Sequence, residues 1–132
     1  MKKNQINFQV VIGSKPENML EKVSTFEPDV IVCPLMKTRI PPEVYNNYLT
    51  LIVHPGPPGD KGASSLDWCV KDKFEKWGVT VLEATKNFDA GLIWGFSTFS
   101  VKNSDTKSSI YRNQVQFAAI DAINSALSKY VF

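Results

Sequence analysis

Two short apolar segments without alternation of polar and apolar residues constrain the fold most strongly. Residues 29–33 read DVIVC and residues 50–54 read TLIVH. A strand with one face in water alternates, whereas a short unbroken apolar run is typical of a strand covered on both faces. Because such strands occur mainly where helices pack on both sides of a parallel sheet, the sequence predicts an α/β domain with a mostly parallel sheet.

The remaining elements are predicted from patterning and from proline and glycine positions. Residues 5–12 (QINFQVVI) predict a further strand, and residues 78–84 and 92–101 predict an antiparallel pair. Helices are expected where proline or serine begins a segment or where apolar residues recur with helical spacing: residues 17–25, 41–48, 64–73 with Ser64 as the N-cap, and 106–130.

The composition is that of a single globular domain. The chain has 132 residues, and its 15 Lys and Arg against 13 Asp and Glu are spread along it, so no nucleic-acid surface is expected. No apolar run approaches the ~20 residues of a membrane-spanning helix, and no signal peptide is visible. Cys33 and Cys69 lie in apolar segments, which is typical of buried thiols in a reducing compartment. We therefore expect a cytoplasmic protein, without a membrane partner and without a zinc site, since two distant cysteines and one histidine are too few ligands.

The chain's only histidine, His54, stands where the second apolar segment ends and the loop PGPPGDKG begins. Ligands of parallel α/β sheets bind beyond the carboxyl ends of the strands, which is where this imidazole is expected. Gly56, Gly59 and Gly62 allow the main chain to approach a ligand closely, although the loop matches neither the phosphate-loop nor the dinucleotide-binding pattern. A single histidine is also a common structural residue, so His54 alone does not define an activity.

A second candidate is Asp89, in the turn of NFDAGLIW between the two predicted antiparallel strands. An aspartate in such a turn often bonds its own backbone. The functional alternative is a carboxylate that faces His54 across the open end of the sheet. The two residues are too far apart in sequence to form a local motif, so only the tertiary fold can bring them together.

From residue 28 to residue 94 the chain resembles the amino-terminal catalytic domain of the folate-dependent formyltransferases. The matching segments are DVIVCPLMKTRIPPEVY, IVHPGPPGDKGASSLDW and GVTVLEATKNFDAGLIW. The HypX-type hydrogenase maturation branch is the more similar, and TKSSIYRNQV at residues 106–115 also resembles it. The resemblance implies a three-layer, Rossmann-like sheet and 10-formyltetrahydrofolate as the formyl donor.

The resemblance also implies site residues. His54 and Asp89 match two members of the family's Asn, His and Asp catalytic triad, whereas Ile52 stands at the asparagine position. The pterin is expected between the loop around residues 35–40 and the turn at 85–89. The residues implied for folate binding are Leu35, Met36, Lys37, Ile40, Pro55, Gly56, Thr85 and Asn87.

Residues 1–132 are expected to form one formyltransferase-like domain that lacks the family's first strand and helix. Three functions stay open: formyl transfer from, or hydrolysis of, 10-formyltetrahydrofolate in one-carbon metabolism and hydrogenase maturation; a non-catalytic folate-binding or partner-binding domain; and an unrelated α/β binding module. The HypX-type resemblance implies coenzyme A as acceptor and a crotonase-like partner domain. An open edge along residues 50–54 would predict self-association.

Overall fold

The computed structural model describes residues 6–12, 15–36, 38–62, 64–87 and 89–130. The four strands are β1 (Val30–Pro34), β2 (Leu49–His54), β3 (Lys76–Glu83) and β4 (Ile93–Ser100). The helices are α1 (Pro16–Phe26), α2 (Pro42–Tyr45), α3 (Ser65–Lys71), α4 (Lys107–Ile110) and α5 (Gln116–Ser128), with a π-helical turn (Tyr111–Val115) between α4 and α5.

The sheet has the order β1-β2-β3-β4 and is mixed. β1 and β2 run parallel, as expected for a connection that carries a helical turn, whereas β2–β3 and β3–β4 are antiparallel. The α/β class and the predicted antiparallel pair are confirmed. The prediction of a mostly parallel sheet is wrong, because only one of the three strand pairings is parallel. β2 carries one of the unbroken apolar runs and pairs parallel with β1 but antiparallel with β3, so this pattern indicates burial on both faces and not strand direction.

Helices cover both faces of the sheet and make it the middle of three layers. Leu51 and Val53 of β2 point to a core formed with β3, α3 and α5. Ile52, which lies between them, points to a second cluster around Met19 of α1 and Val44 of α2. This division follows from the two-residue period of a strand.

The carboxy-terminal helical segment packs closely on β4. Its inner face is lined by small side chains, namely Ala118, Ala119, Ala122 and Ala126. A Cβ at Gly95 would lie 2.7 Å from the carbonyl oxygen of Ala122, so β4 needs glycine there. The segment begins with a reciprocal cap between Thr106 and Ser109, and the helix predicted for residues 106–130 is confirmed.

Three expectations about local structure are wrong. Residues 6–12 form no strand and are exposed, and Gln5 lies outside the described residues. Ser64 makes no side-chain cap and adopts a left-handed φ of 66°. The strand edge expected to be open is paired, because β2 lies between β1 and β3; the outer strands of the described sheet are β1 and β4. Among the described residues, no helix combines the length and apolar character needed to cross a membrane.

Candidate active site

His54 lies at the carboxyl end of β2, opposite Thr80 of β3. β3 runs back from this end of the sheet, so residues 55–75 remain on one side and build a loop and α3 around the ring. The side chain is only 4% exposed. Its Nδ1 atom lies 3.3 Å from Oδ2 of Asp89, within ion-pair distance. The predicted proximity of His54 and Asp89 is therefore confirmed.

Asp89 belongs to the turn between β3 and β4 and has a left-handed φ of 51°. Aspartate tolerates this conformation better than most residues. Its Oδ2 atom accepts a hydrogen bond of 2.9 Å from the N–H of Gly62, in the loop that follows β2. The carboxylate thus joins the two loops and faces His54, as the functional alternative predicted.

Asp60 is a site residue that the sequence reading missed. Its Oδ2 atom lies 2.8 Å from Nε2 of His54, and its side chain is 23% exposed. The Asp60 N–H donates to the carbonyl of Pro57, which closes a turn and brings residue 60 back towards the strand end. The sequence PPGD, with proline and glycine ahead of the aspartate, is the signal that indicates this turn.

Ser65 also reaches the ring and was not predicted. Its buried Oγ atom lies 3.3 Å from Nε2 of His54 and 3.3 Å from the carbonyl oxygen of Gly62. A hydroxyl that donates to the Gly62 carbonyl can at the same time accept from the imidazole. Ser65 therefore joins the first turn of α3 to the histidine.

Gly56 allows this close packing. A Cβ on Gly56 would lie 2.3 Å from Oδ2 of Asp60 and 2.7 Å from Nε2 of His54, both far inside van der Waals contact. The loop is also anchored to β3, because Thr80 donates its hydroxyl to the Gly56 carbonyl at 2.8 Å and Trp77 donates its indole N–H to the Pro55 carbonyl at 2.9 Å. Pro55 and Gly56, two of the residues implied for folate binding, thus lie beside the histidine.

The other predicted folate-binding residues fall into two groups. The side chains of Met36 and Ile40 pack with the α1 and α2 cluster and line a cavity of about 150 Å³ beside β1. Leu35 has a left-handed φ of 55°, and its N–H donates to the Val53 carbonyl, next to His54 in β2. Lys37 lies outside the described residues.

The turn after β3 is locally ordered by its own hydrogen bonds. The hydroxyl of Thr85 donates to the Asn87 carbonyl at 2.9 Å and accepts from the Asn87 N–H at 3.2 Å. Arg39 donates to the carbonyl of Lys86 at 3.4 Å. This contact brings the loop at residues 38–40 to the turn at 84–87, the two segments between which the pterin is expected.

Both cysteines are free and buried, as predicted. Burial raises the pKa of the Cys33 thiol to about 11. Burial, and then the negative charges of Asp105 and Asp60, raise the pKa of the Cys69 thiol. Neither thiol is suited to act as a nucleophile at neutral pH. Within the described ranges, no group of three or more His, Cys, Asp and Glu side chains is arranged to hold a metal ion.

These contacts place a buried imidazole between carboxylates from two loops, an arrangement suited to hydrogen-bond donation and proton transfer. The chain matches the model of the formyl transferase family over residues 3–127. It is 44% identical over 108 residues to the hydrogenase maturation factor HoxX of Bradyrhizobium diazoefficiens, which covers 82% of this chain and 19% of that protein.

Solved structures agree with the family match. HypX from Aquifex aeolicus, in complex with tetrahydrofolic acid, is 42% identical with a TM-score of 0.83, over 86% of this chain and 20% of that one. Phosphoribosylglycinamide formyltransferase from Bacillus halodurans shares the fold, with 18% identity and a TM-score of 0.70 over 86% of this chain and 61% of that one. The chain spans about a fifth of the length of its HoxX and HypX relatives. Nearly the whole chain fits the family model, and the protein belongs to the formyl transferase family.

Proposed function

We propose that this domain binds 10-formyltetrahydrofolate and transfers or hydrolyses its formyl group, in a HypX-like role in hydrogenase maturation. The observation that carries the proposal is the position of His54, buried at the end of β2 with Asp89 3.3 Å from its Nδ1 atom. The likeness to the structure of HypX in complex with tetrahydrofolic acid supports the choice of ligand.

In the proposed reaction a nucleophile attacks the formyl carbon and a negative charge develops on the formyl oxygen. The bond from the formyl carbon to N10 of the folate then breaks, and N10 takes up the proton that the nucleophile loses, which releases tetrahydrofolate. His54 stabilises this oxyanion by hydrogen bonding or takes the proton of the nucleophile. Asp89 orients the ring from the Nδ1 side, and its bond to the Gly62 N–H holds the carboxylate in place.

The pterin would lie between the loop that contains Leu35, Met36, Lys37 and Ile40 and the turn that contains Thr85 and Asn87. Pro55 and Gly56 would border the reacting end, next to His54. The hydrogen bond from Arg39 to the Lys86 carbonyl supports this assignment, since it brings the two segments together. Main-chain groups and apolar side chains suit a flat ring with polar edges.

A turnover assay tests the proposal. The tag-free protein is incubated with 10-formyltetrahydrofolate, with and without coenzyme A, and tetrahydrofolate and formyl-coenzyme A are measured by mass spectrometry. We expect His54→Ala to lower turnover by about 10²-fold or more. Asp67→Asn is the matched control, because Asp67 is an exposed carboxylate on α3 that pairs with Lys107. A His54→Ala variant as active as the wild type would overturn the role of His54.

A non-catalytic folate-binding or partner-binding domain is the second candidate. Two observations favour it: Ile52 supplies no amide near the ring, and Asp60 already occupies the Nε2 side of His54. Saturable quenching of tryptophan fluorescence by a folate analogue, without turnover, would support this candidate. Coenzyme A as acceptor belongs to the catalytic proposal alone, whereas a crotonase-like partner domain, self-association and a cytoplasmic location are proposed in either case.

A further inference from the structure

Both ring nitrogens of His54 face carboxylate oxygens. Nε2 lies 2.8 Å from Oδ2 of Asp60 and Nδ1 lies 3.3 Å from Oδ2 of Asp89. A neutral imidazole carries one N–H, so one of its nitrogens would lie at ion-pair distance from a carboxylate oxygen without carrying a hydrogen. Only a ring with two N–H groups presents a donor to each carboxylate.

Water has little access to the ring itself. The side chains of His54 and Asp89 are 4% and 10% exposed, that of Asp60 is 23% exposed, and Gly56 packs closely against Asp60 and Nε2. Ser65 does not relieve a contact between a bare nitrogen and a carboxylate either, because its oxygen lies 3.3 Å from Nε2, farther than that of Asp60. An unpaired polar contact at such a buried position is costly.

We infer that Asp60 is a positioning residue that keeps Nε2 of His54 protonated, so that the ring is held as a donor at both nitrogens. The inference rests on the proposed function for its use in the reaction. There, His54 would act on the formyl oxygen as a hydrogen-bond donor and not as a base. That choice decides between the two roles that the proposed reaction leaves open for His54.

Nitrogen-15 NMR tests the inference without any folate, because the chain contains a single histidine. The tag-free protein is labelled at the two ring nitrogens, and each nitrogen is assigned as protonated or bare at pH 7.5. In the wild type we expect both nitrogens to carry hydrogen. One bare nitrogen in the wild type would overturn the inference, whatever the variants do.

Two variants make the expectation specific. Asp60→Asn should leave the hydrogen on Nδ1, facing Asp89, and make Nε2 bare. Asp89→Asn should do the reverse and leave the hydrogen on Nε2, facing Asp60. Asp67→Asn should change neither nitrogen, since Asp67 pairs with Lys107. Two N–H groups retained in Asp60→Asn would also overturn the inference. Because the readout is a protonation pattern and not turnover, its failure is distinguishable from a failure of the proposed function.

Discussion

Gly56 makes the packing of Asp60 against His54 testable by stability measurements. In Gly56→Ala the new Cβ would lie 2.3 Å from Oδ2 of Asp60, about 1 Å short of ordinary van der Waals contact, and 2.7 Å from Nε2 of His54. Overpacking of this kind costs about 1–3 kcal/mol. With a urea m-value of about 2 kcal/mol/M, a loss of 2 kcal/mol lowers the unfolding midpoint by roughly 1 M.

A double-mutant cycle can show whether the clash with Asp60 causes the loss of stability in Gly56→Ala. Asp60→Ala removes the closest clashing atom together with a hydrogen bond worth about 1.5–3 kcal/mol at most. Gly56→Ala should therefore cost less in the Asp60→Ala background than in the wild type, by about 0.5–3 kcal/mol, since contacting residues are not additive. The native tryptophans report unfolding by fluorescence.

Gly59 provides the matched control within the same loop. A Cβ at Gly59 would meet nothing within 4 Å, although its φ of 95° makes alanine strained there. Gly59→Ala should lower stability through backbone strain alone and should cost the same with or without the Asp60 carboxylate. The contact explanation would be refuted by a Gly56→Ala midpoint equal to that of the wild type, or by an equal Gly56→Ala cost in both backgrounds.

Three further outcomes are expected. Cys33, whose pKa burial raises to about 11, should react slowly with a thiol reagent at pH 8 until urea unfolds the chain; fast labelling of the native protein would contradict this. A hydrogen bond from the Lys102 N–H, foremost, and one from Gln114 lower the pKa of Asp105. The Asp105→Asn variant should therefore be less stable than the wild type near pH 7. The urea midpoints of the variant and the wild type should converge as the pH falls below about 4, where the carboxylate becomes protonated. Exposed apolar side chains such as Phe8, beside a sheet whose outer strands are β1 and β4, should promote self-association. Sedimentation at micromolar concentration would detect it, and a sharp monomer would argue against it.

The buried strands are the part of the fold that the sequence predicts best. β1 and β2 lie where the apolar runs indicate, because a strand that is buried on both faces has an apolar sequence. Strand direction cannot be predicted from the sequence in this way, since β3 is also buried and pairs antiparallel with β2. The mixed sheet follows from residues 55–75 remaining at one end, which is a property of tertiary structure.

Local propensity is a weaker guide where no partner supports it. Residues 6–12 have a strand-like composition, yet they form no ladder in the structure. Strand propensities span only about 1 kcal/mol and depend on neighbours that pair and pack. Ser64 fails as a cap for a related reason: its left-handed backbone is set by the tight loop before α3, and helix-capping residues need an extended conformation.

The candidate site was likewise predicted only in part. His54 was predicted from its place at a strand end, and the family resemblance linked it with Asp89 across the sheet. Asp60 could not be linked to His54 by the strand pattern, because its position depends on the turn that Pro57 closes. Contacts that depend on a turn and on close packing at a glycine can be identified only from the three-dimensional structure of the loop.

The position of Ile52 shows how the surroundings of His54 are built. Residues two apart on a strand share a face, so Ile52 lies on the same side of β2 as the histidine. It packs against the apolar cluster of α1 and α2 and supplies no polar atom. The polar neighbours of the ring come instead from Asp60, Ser65 and Asp89, which lie on loops and at a helix start. Substitutions that displace the loop at residues 55–60 should therefore alter the chemistry of His54 more than apolar substitutions at Ile52.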